Sequence, residues 1–182
     1  FEYAKSSNKK ITFVDKANVM DYYNFWRESV EKIAKAHQGA AYEFELIDAA
    51  VMNLVRQPEA YSIIVAPNMF GEIISNLGAV IQGGFGLSAS ASINPDGISM
   101  FQPMHGSAPN FAGRKIVNPI AAVWSASLML DFLGQQKGAA LVMRAIDSVL
   151  KEGKCRTQDL GGLNSTGEMG DAIVNKIIDL HE

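Results

Sequence analysis

Three hard-oxygen side chains and one lysine carry the chemistry this sequence offers. Glu72 and Asn76 stand four residues apart in an apolar run that reads as a helix, so they share one face. Asp48 follows a strand-like segment, a place where ligands gather in parallel α/β sheets. Carboxylate and amide oxygens suit Mg²⁺ or Mn²⁺ rather than zinc, which makes Asp48, Glu72 and Asn76 a candidate metal group. Carboxylates at helix starts also act as caps and dipole partners, and that reading stands beside the first. Lys16 ends another strand-like run in Val14-Asp15-Lys16-Ala17-Asn18. In a cleft, a lysine becomes a general base when burial or neighbours lower its pKa. On an open surface it is merely solvated.

The second chemical feature is the loop from His105 to Pro119, with sequence HGSAPNFAGRKIVNP. Glycine lets backbone approach a ligand and proline fixes φ, so such a loop holds one shape. Pro119 opens an apolar helical run, placing Asn118 at its N-cap with outward-facing amides beyond it. A rigid loop of backbone donors ending at a helix start suits a nucleotide, and the His105 ring can stack on or hydrogen-bond an adenine. An ordinary surface loop has the same composition. His37 and His181 lie in polar helical surroundings and receive no role, and the scattered methionines read as core filler.

The elements that must position these residues alternate. Lys10–Asp15 reads as a strand, then apolar positions from Tyr22 to Ala34 recur at helical spacing and stop before Gly39. Tyr42–Ile47 alternates like a strand, Asp48 caps a helix over 49–56, and Tyr61–Ala66 is a continuous apolar strand of the buried parallel kind. Another helix starts near Met69. Strand alternating with helix is the α/β signature. Gly83–Gly97 changes register, ending in the turn Asn94-Pro95-Asp96-Gly97, and separates a lobe over 1–83 carrying the candidate metal group from one over 84–182 carrying the nucleotide loop. Helices are expected over 120–132, 137–150 and 170–181, the first nearly all apolar and therefore buried.

Bulk properties bound the rest. At 182 residues, 48% hydrophobic and 19% charged, the chain is an ordinary globular sequence able to bury a core. A net charge of −3 argues against nucleic acid or an anionic membrane as partner. Cys155 is the single cysteine, which excludes an intrachain disulfide and fits a reducing compartment. No apolar run reaches membrane-spanning length, and the first residues do not resemble a signal peptide. The chain starts without Met, in what reads as the end of a helix, as a fragment or processed product would.

Taken in order, Val14-Asp15-Lys16-Ala17-Asn18, Asn68-Met69-Phe70-Gly71, His105-Gly106-Ser107-Ala108-Pro109 and Asn118-Pro119-Ile120 resemble the β-decarboxylating dehydrogenase family, which includes 3-isopropylmalate, isocitrate, homoisocitrate and tartrate/D-malate dehydrogenases. The similarity runs from about Lys10 to the C-terminus and corresponds to the family's C-terminal half. It implies the two-lobe α/β fold of isopropylmalate and isocitrate dehydrogenases. It also implies oxidation of a malate-type 2-hydroxy acid at C2 by NAD, with metal-assisted loss of the β-carboxylate. On this resemblance Lys16 is the base at the substrate hydroxyl, acting across a homodimer interface. Asp48 has a catalytic and metal-holding role with Glu72, and Asn76 lies beside them. His105, Gly106, Ser107, Ala108, Asn110 and Asn118 line the adenosine half of NAD. The absence of a GxGxxG fingerprint agrees with this non-Rossmann site. The apolar helix over 73–81 would pair between subunits. The substrate arginines, the catalytic tyrosine and part of the nicotinamide site belong to the half that has no counterpart here, so these residues alone are not a complete catalyst.

Four departures stand out against the family pattern. Glu72 is a longer acid than the usual aspartate, Asn76 and Asn110 replace aspartates, and Gln102 stands where glutamate is common. An amide in place of a carboxylate removes a charge, and charge-assisted hydrogen bonds are about twice as strong as neutral ones. The departures leave NAD over NADP only a preference and open an alternative: a non-catalytic or regulatory subunit of the same fold. The retention of Lys16 and Asp48 favours the enzyme, and an NAD-isocitrate dehydrogenase is a further alternative. The segments Met129–Gly134 and Ser99–Pro103 look more like tartrate/D-malate or 3-isopropylmalate members. The expected location is the cytoplasm, or the mitochondrial matrix in a eukaryote.

Overall fold

A computed structural model describes residues 1–181. The chain divides into two compact units, Phe1–Ile81 and a second beginning at Gln82.

In the first unit a short helix α1 (Glu2–Ser7) precedes strand β1 (Ile11–Asp15), helix α2 (Tyr22–Ala34), strand β2 (Tyr42–Leu46), helix α3 (Ile47–Arg56), strand β3 (Ile63–Val65) and helix α4 (Asn68–Gln82). The three strands form a parallel sheet in the order β2-β1-β3. All five residues of β1 are buried, as a central parallel strand covered on both faces requires. Ile11 and Phe13 pack with Ala4, Val30 and Trp26, whereas Val14 packs with Ala50, Leu54 and Ile74. Alternate residues of one strand thus feed two cores. The expected strand at Tyr61–Ala66 is only the three residues of β3, and none of them is fully buried, because β3 lies at the edge of the sheet.

In the second unit, β4 (Ala89–Ser92) and β5 (Met100–Pro103) make an antiparallel hairpin through the anticipated Asn94–Gly97 turn, where the Asp96 amide donates to Asn94 Oδ1 at 3.0 Å. Helices α5 (Ile120–Phe132), α6 (Gln136–Glu152) and α7 (Thr166–His181) follow. Their core joins Ile120, Ala145, Ile146, Val149, Met169 and Ile173. Although α5 is apolar nearly throughout, it is not wholly buried: Met129 and Phe132 are exposed. Helix α7 starts four residues before the expected position. Ser165 and Glu168 form a capping box in which Glu168 Oε2 accepts from the Ser165 amide at 2.7 Å and Ser165 Oγ accepts from the Glu168 amide at 3.3 Å. Among the described residues no helix is long and apolar enough to cross a membrane.

Candidate functional site

The register of β1 against β2 builds the first constellation. Asp15 lies opposite Leu46 in the parallel pair, so the residues just beyond both strand ends become neighbours. Lys16 Nζ donates to Asp48 Oδ1 at 2.5 Å. The lysine side chain is 23% exposed and the aspartate 65%, so the pair sits at a surface with its ammonium mostly covered. Lys16 holds the Asp48 carboxyl below the ordinary carboxylate range, chiefly through this hydrogen bond. Asp48 lies in the first turn of α3 rather than at its cap: Leu46 occupies the N-cap, and no side chain caps the helix there.

Behind this pair, Asp15 is wholly buried and meets Arg27 in a fork, with Arg27 Nε donating to Oδ2 at 2.6 Å and Nη2 to Oδ1 at 2.8 Å. Oδ1 also accepts from the Ala17 amide at 3.0 Å. Neither residue stands out in the sequence, because the fork joins a strand end to a helix twelve residues further on.

Glu72 and Asn76 fall on α4 as expected, both exposed, with no side-chain hydrogen bond or ion pair among the described residues. No group of three or more His, Cys, Asp and Glu side chains gathers around one point among the described residues. A divalent ion here would therefore depend on an amide, Asn76, or on groups beyond this chain.

The second constellation lies in the second unit. A cavity of about 460 Å³ is lined by Phe85, Phe111, Ile116 and Val117 and by the polar residues His105, Asn118, Gln158 and Asp159. His105 Nδ1 donates to the Gly106 carbonyl at 2.8 Å, which fixes the orientation of the ring. Ala108 also lines the cavity and holds a left-handed φ of +44°, a strained conformation for a residue with a Cβ. Gly106 and Gly113 take positive φ at 61° and 77°, where glycine carries no such strain. Gly106, Ser107 and Asn110 do not line the cavity; Ser107 and Asn110 are exposed.

Asn118 is buried and ties the loop to its surroundings: its Oδ1 accepts from the Ile120 amide and its Nδ2 donates to Asp159 Oδ2, each at 3.0 Å. The first bond is the anticipated N-cap, one residue before the assigned cap Pro119 of α5. It also corrects the expectation of outward-facing amides, because Ile120 and Ala121 are fully buried and the Ile120 amide is already engaged. The loop is stitched further by Thr166, whose Oγ1 donates to the Val117 carbonyl at 2.6 Å and whose amide donates to the Lys115 carbonyl at 2.9 Å. Asp159, Thr166 and Thr157, whose Oγ1 donates to Asp159 Oδ1 at 2.5 Å, were invisible as site residues in the sequence. Gly86 alone had a signal, its place in the glycine-rich stretch. A Cβ there would come within 2.9 Å of Asn118 Cβ and collide with the Asp159 carboxylate.

The chain is similar to known proteins in sequence and in fold. The family described as isocitrate/isopropylmalate dehydrogenase matches residues 1–173. The chain is similar to a 3-isopropylmalate dehydrogenase of Anaeromyxobacter dehalogenans, 42% identical over 178 residues, covering 97% of this chain and 50% of that protein. It is also 42% identical over 177 residues to a 3-isopropylmalate dehydrogenase of Priestia megaterium, covering 95% and 48%. Among solved structures, isocitrate dehydrogenase from Methylococcus capsulatus matches with a TM-score of 0.91 at 34% identity, covering 97% of this chain and 53% of that one. A β-decarboxylating dehydrogenase from Thermococcus kodakarensis matches at 0.88 and 37%, covering 98% and 52%. The chain spans about half the length of the relatives it matches.

Proposed function

Because the chain belongs to the isocitrate/isopropylmalate dehydrogenase family, we propose that its parent polypeptide carries out NAD- and divalent-metal-dependent oxidative decarboxylation of a malate-type 2-hydroxy acid, with 3-isopropylmalate or tartrate/D-malate as substrate. The observation that carries this reading is the Lys16–Asp48 pair at 2.5 Å, a strand-end lysine and a carboxylate brought together by the parallel register of β1 and β2. Lys16, as the neutral amine, takes the proton from the substrate hydroxyl and becomes an ammonium whose hydrogen bond Asp48 accepts, and Asp48 also offers a carboxylate oxygen to a cation. Glu72 and Asn76 would complete the hard-oxygen donor set, whose chemistry suits Mg²⁺ or Mn²⁺. The adenosine end of NAD fits the cavity in the second unit, where apolar walls flank Asn118 and Asp159 and a Cβ at Gly86 would intrude. When bound, NAD would supply the hydride acceptor and the metal the Lewis acid at the C2 oxygen. The exposed apolar residues of α4 support a homodimer in which Lys16 serves the neighbouring site.

One observation favours a second reading, a non-catalytic or regulatory subunit of the same fold: the amides Asn76, Gln102 and Asn110 stand where the family usually has acids. The experiment that separates the two is NAD reduction by the full polypeptide with Mn²⁺ and 3-isopropylmalate, D-malate, tartrate or isocitrate. Turnover with one of the first three, lowered about 10²–10⁴-fold but still measurable in Lys16→Met, is the expected result. A folded protein inert with all four supports the subunit reading instead.

A further inference from the structure

We propose that Arg27 is a positioning residue for Lys16, acting through Asp15; this rests on the proposed role of Lys16 as base. Lys16 occupies the first position beyond β1, where a strand end is free to move unless its backbone is tied. Here it is tied on both sides. Asp15 Oδ1 accepts from the Ala17 amide at 3.0 Å, and the Lys16 carbonyl accepts from the Val19 and Met20 amides at 3.1 and 3.0 Å. The first tie depends on a carboxylate with no exposed surface, and a carboxylate in such a place stays charged only with a partner. Arg27 is that partner, and it meets the carboxylate through two nitrogens, at 2.6 and 2.8 Å. The guanidinium also lies over the Phe44 ring, 5.0 Å from its centre, which gives Arg27 a contact with β2, the strand that leads directly to Asp48. One side chain on α2 therefore sets the direction in which the peptide carrying Lys16 leaves the sheet, and hence whether Nζ reaches Asp48.

A fork and a point charge differ in this role. Lysine at position 27 would neutralise Asp15 without fixing the orientation of its carboxylate, whereas methionine would leave a buried charge unpaired. In the full polypeptide, Arg27→Met is expected to lower kcat about tenfold or more with KM little changed, since misplacing a catalytic group by about 1 Å costs rate rather than binding. Arg27→Lys should recover part of that loss. The decisive arm is the double variant: once Lys16→Met has removed the base, Arg27→Met should cost no further rate. An equal loss in both backgrounds overturns the proposal, because a general structural role is additive.

Where Arg27→Met does not fold, hydrogen exchange in Arg27→Lys decides. The Ala17 amide should exchange about tenfold faster while the amides inside β1 keep their protection, and unchanged Ala17 exchange overturns the proposal. If Lys16→Met leaves turnover intact, the base assignment has failed instead, and Ala17 exchange still reports whether Arg27 holds the turn.

Discussion

Asn118 closes the first amide of α5 with its oxygen and holds Asp159 with its nitrogen, so one side chain both ends the loop and shapes the cavity wall. Asn118→Ala removes a helix cap, which costs about 1 kcal/mol, and leaves the Asp159 carboxylate held by Thr157 alone among the described residues. Calorimetry with NAD should show weakened binding together with a lower melting temperature; a lower melting temperature with unchanged affinity would place the nucleotide elsewhere. The Asn-Pro pair made the cap legible in the sequence. Asp159 was not legible, because its partner lies 41 residues away and only folding brings them together. Acid response also belongs to single residues. Lys10, with help from Thr12, holds Glu43 below its ordinary value, Lys176 does the same for Glu152, and the backbone and side chain of Ser165 do so for Glu168. Each binds its proton more weakly folded than unfolded, so its contribution is complete at neutral pH and disappears as pH falls through the lowered folded value. Urea midpoints should therefore hold steady just below neutrality and drop once the ordinary carboxylate range is passed; a flat response down to about pH 3 would show these pairs to be energetically silent.

At the scale of elements, the legible parts were those with unmixed periodicity. The strand β1 and helix α2 follow from four apolar or β-favouring residues, Ile11 to Val14, and from helical spacing, and they form where the pattern puts them. The hairpin β4–β5 was legible only as its turn, because Ala89-Ser90-Ala91-Ser92 offers no apolar alternation to read. The start of α7 was written in Ser165-Thr166-Gly167-Glu168, but Gly167 and Gly170 mask it by lowering helix propensity. Ser165→Ala tests that boundary. Loss of the capping box should cost about 1 kcal/mol and lower the melting temperature by about 2–4 °C. Because Thr166 stitches Lys115 and Val117, fraying there should also loosen the nucleotide loop. A variant with wild-type melting would mean that tertiary packing of Met169 and Ile173, not the cap, sets where the helix begins.

For the whole molecule, the side of α4 turned away from its core matters most. Phe70, Ile74 and Ala79 are buried, yet Met69, Ile73 and Val80 on the same helix are 53%, 50% and 64% exposed. A helix apolar on two faces calls for a second covering surface. If the full polypeptide is the proposed homodimer, Ile73→Lys combined with Val80→Lys should convert it to monomer in sedimentation, with loss of turnover. A dimer that survives both charges must pair through another surface. The ties that shape the cavity have a consequence for biosynthesis. Its walls come from residues 85–118, but they are closed by Asp159 and by Thr166, near the end of the chain. A nascent chain that has released the loop while α7 is still inside the ribosome has no finished cavity, although the β1–β3 sheet, wholly upstream, is free to assemble. A nucleotide bound there, as proposed, would capture only chains in which Asp159 and Thr166 have already joined the loop.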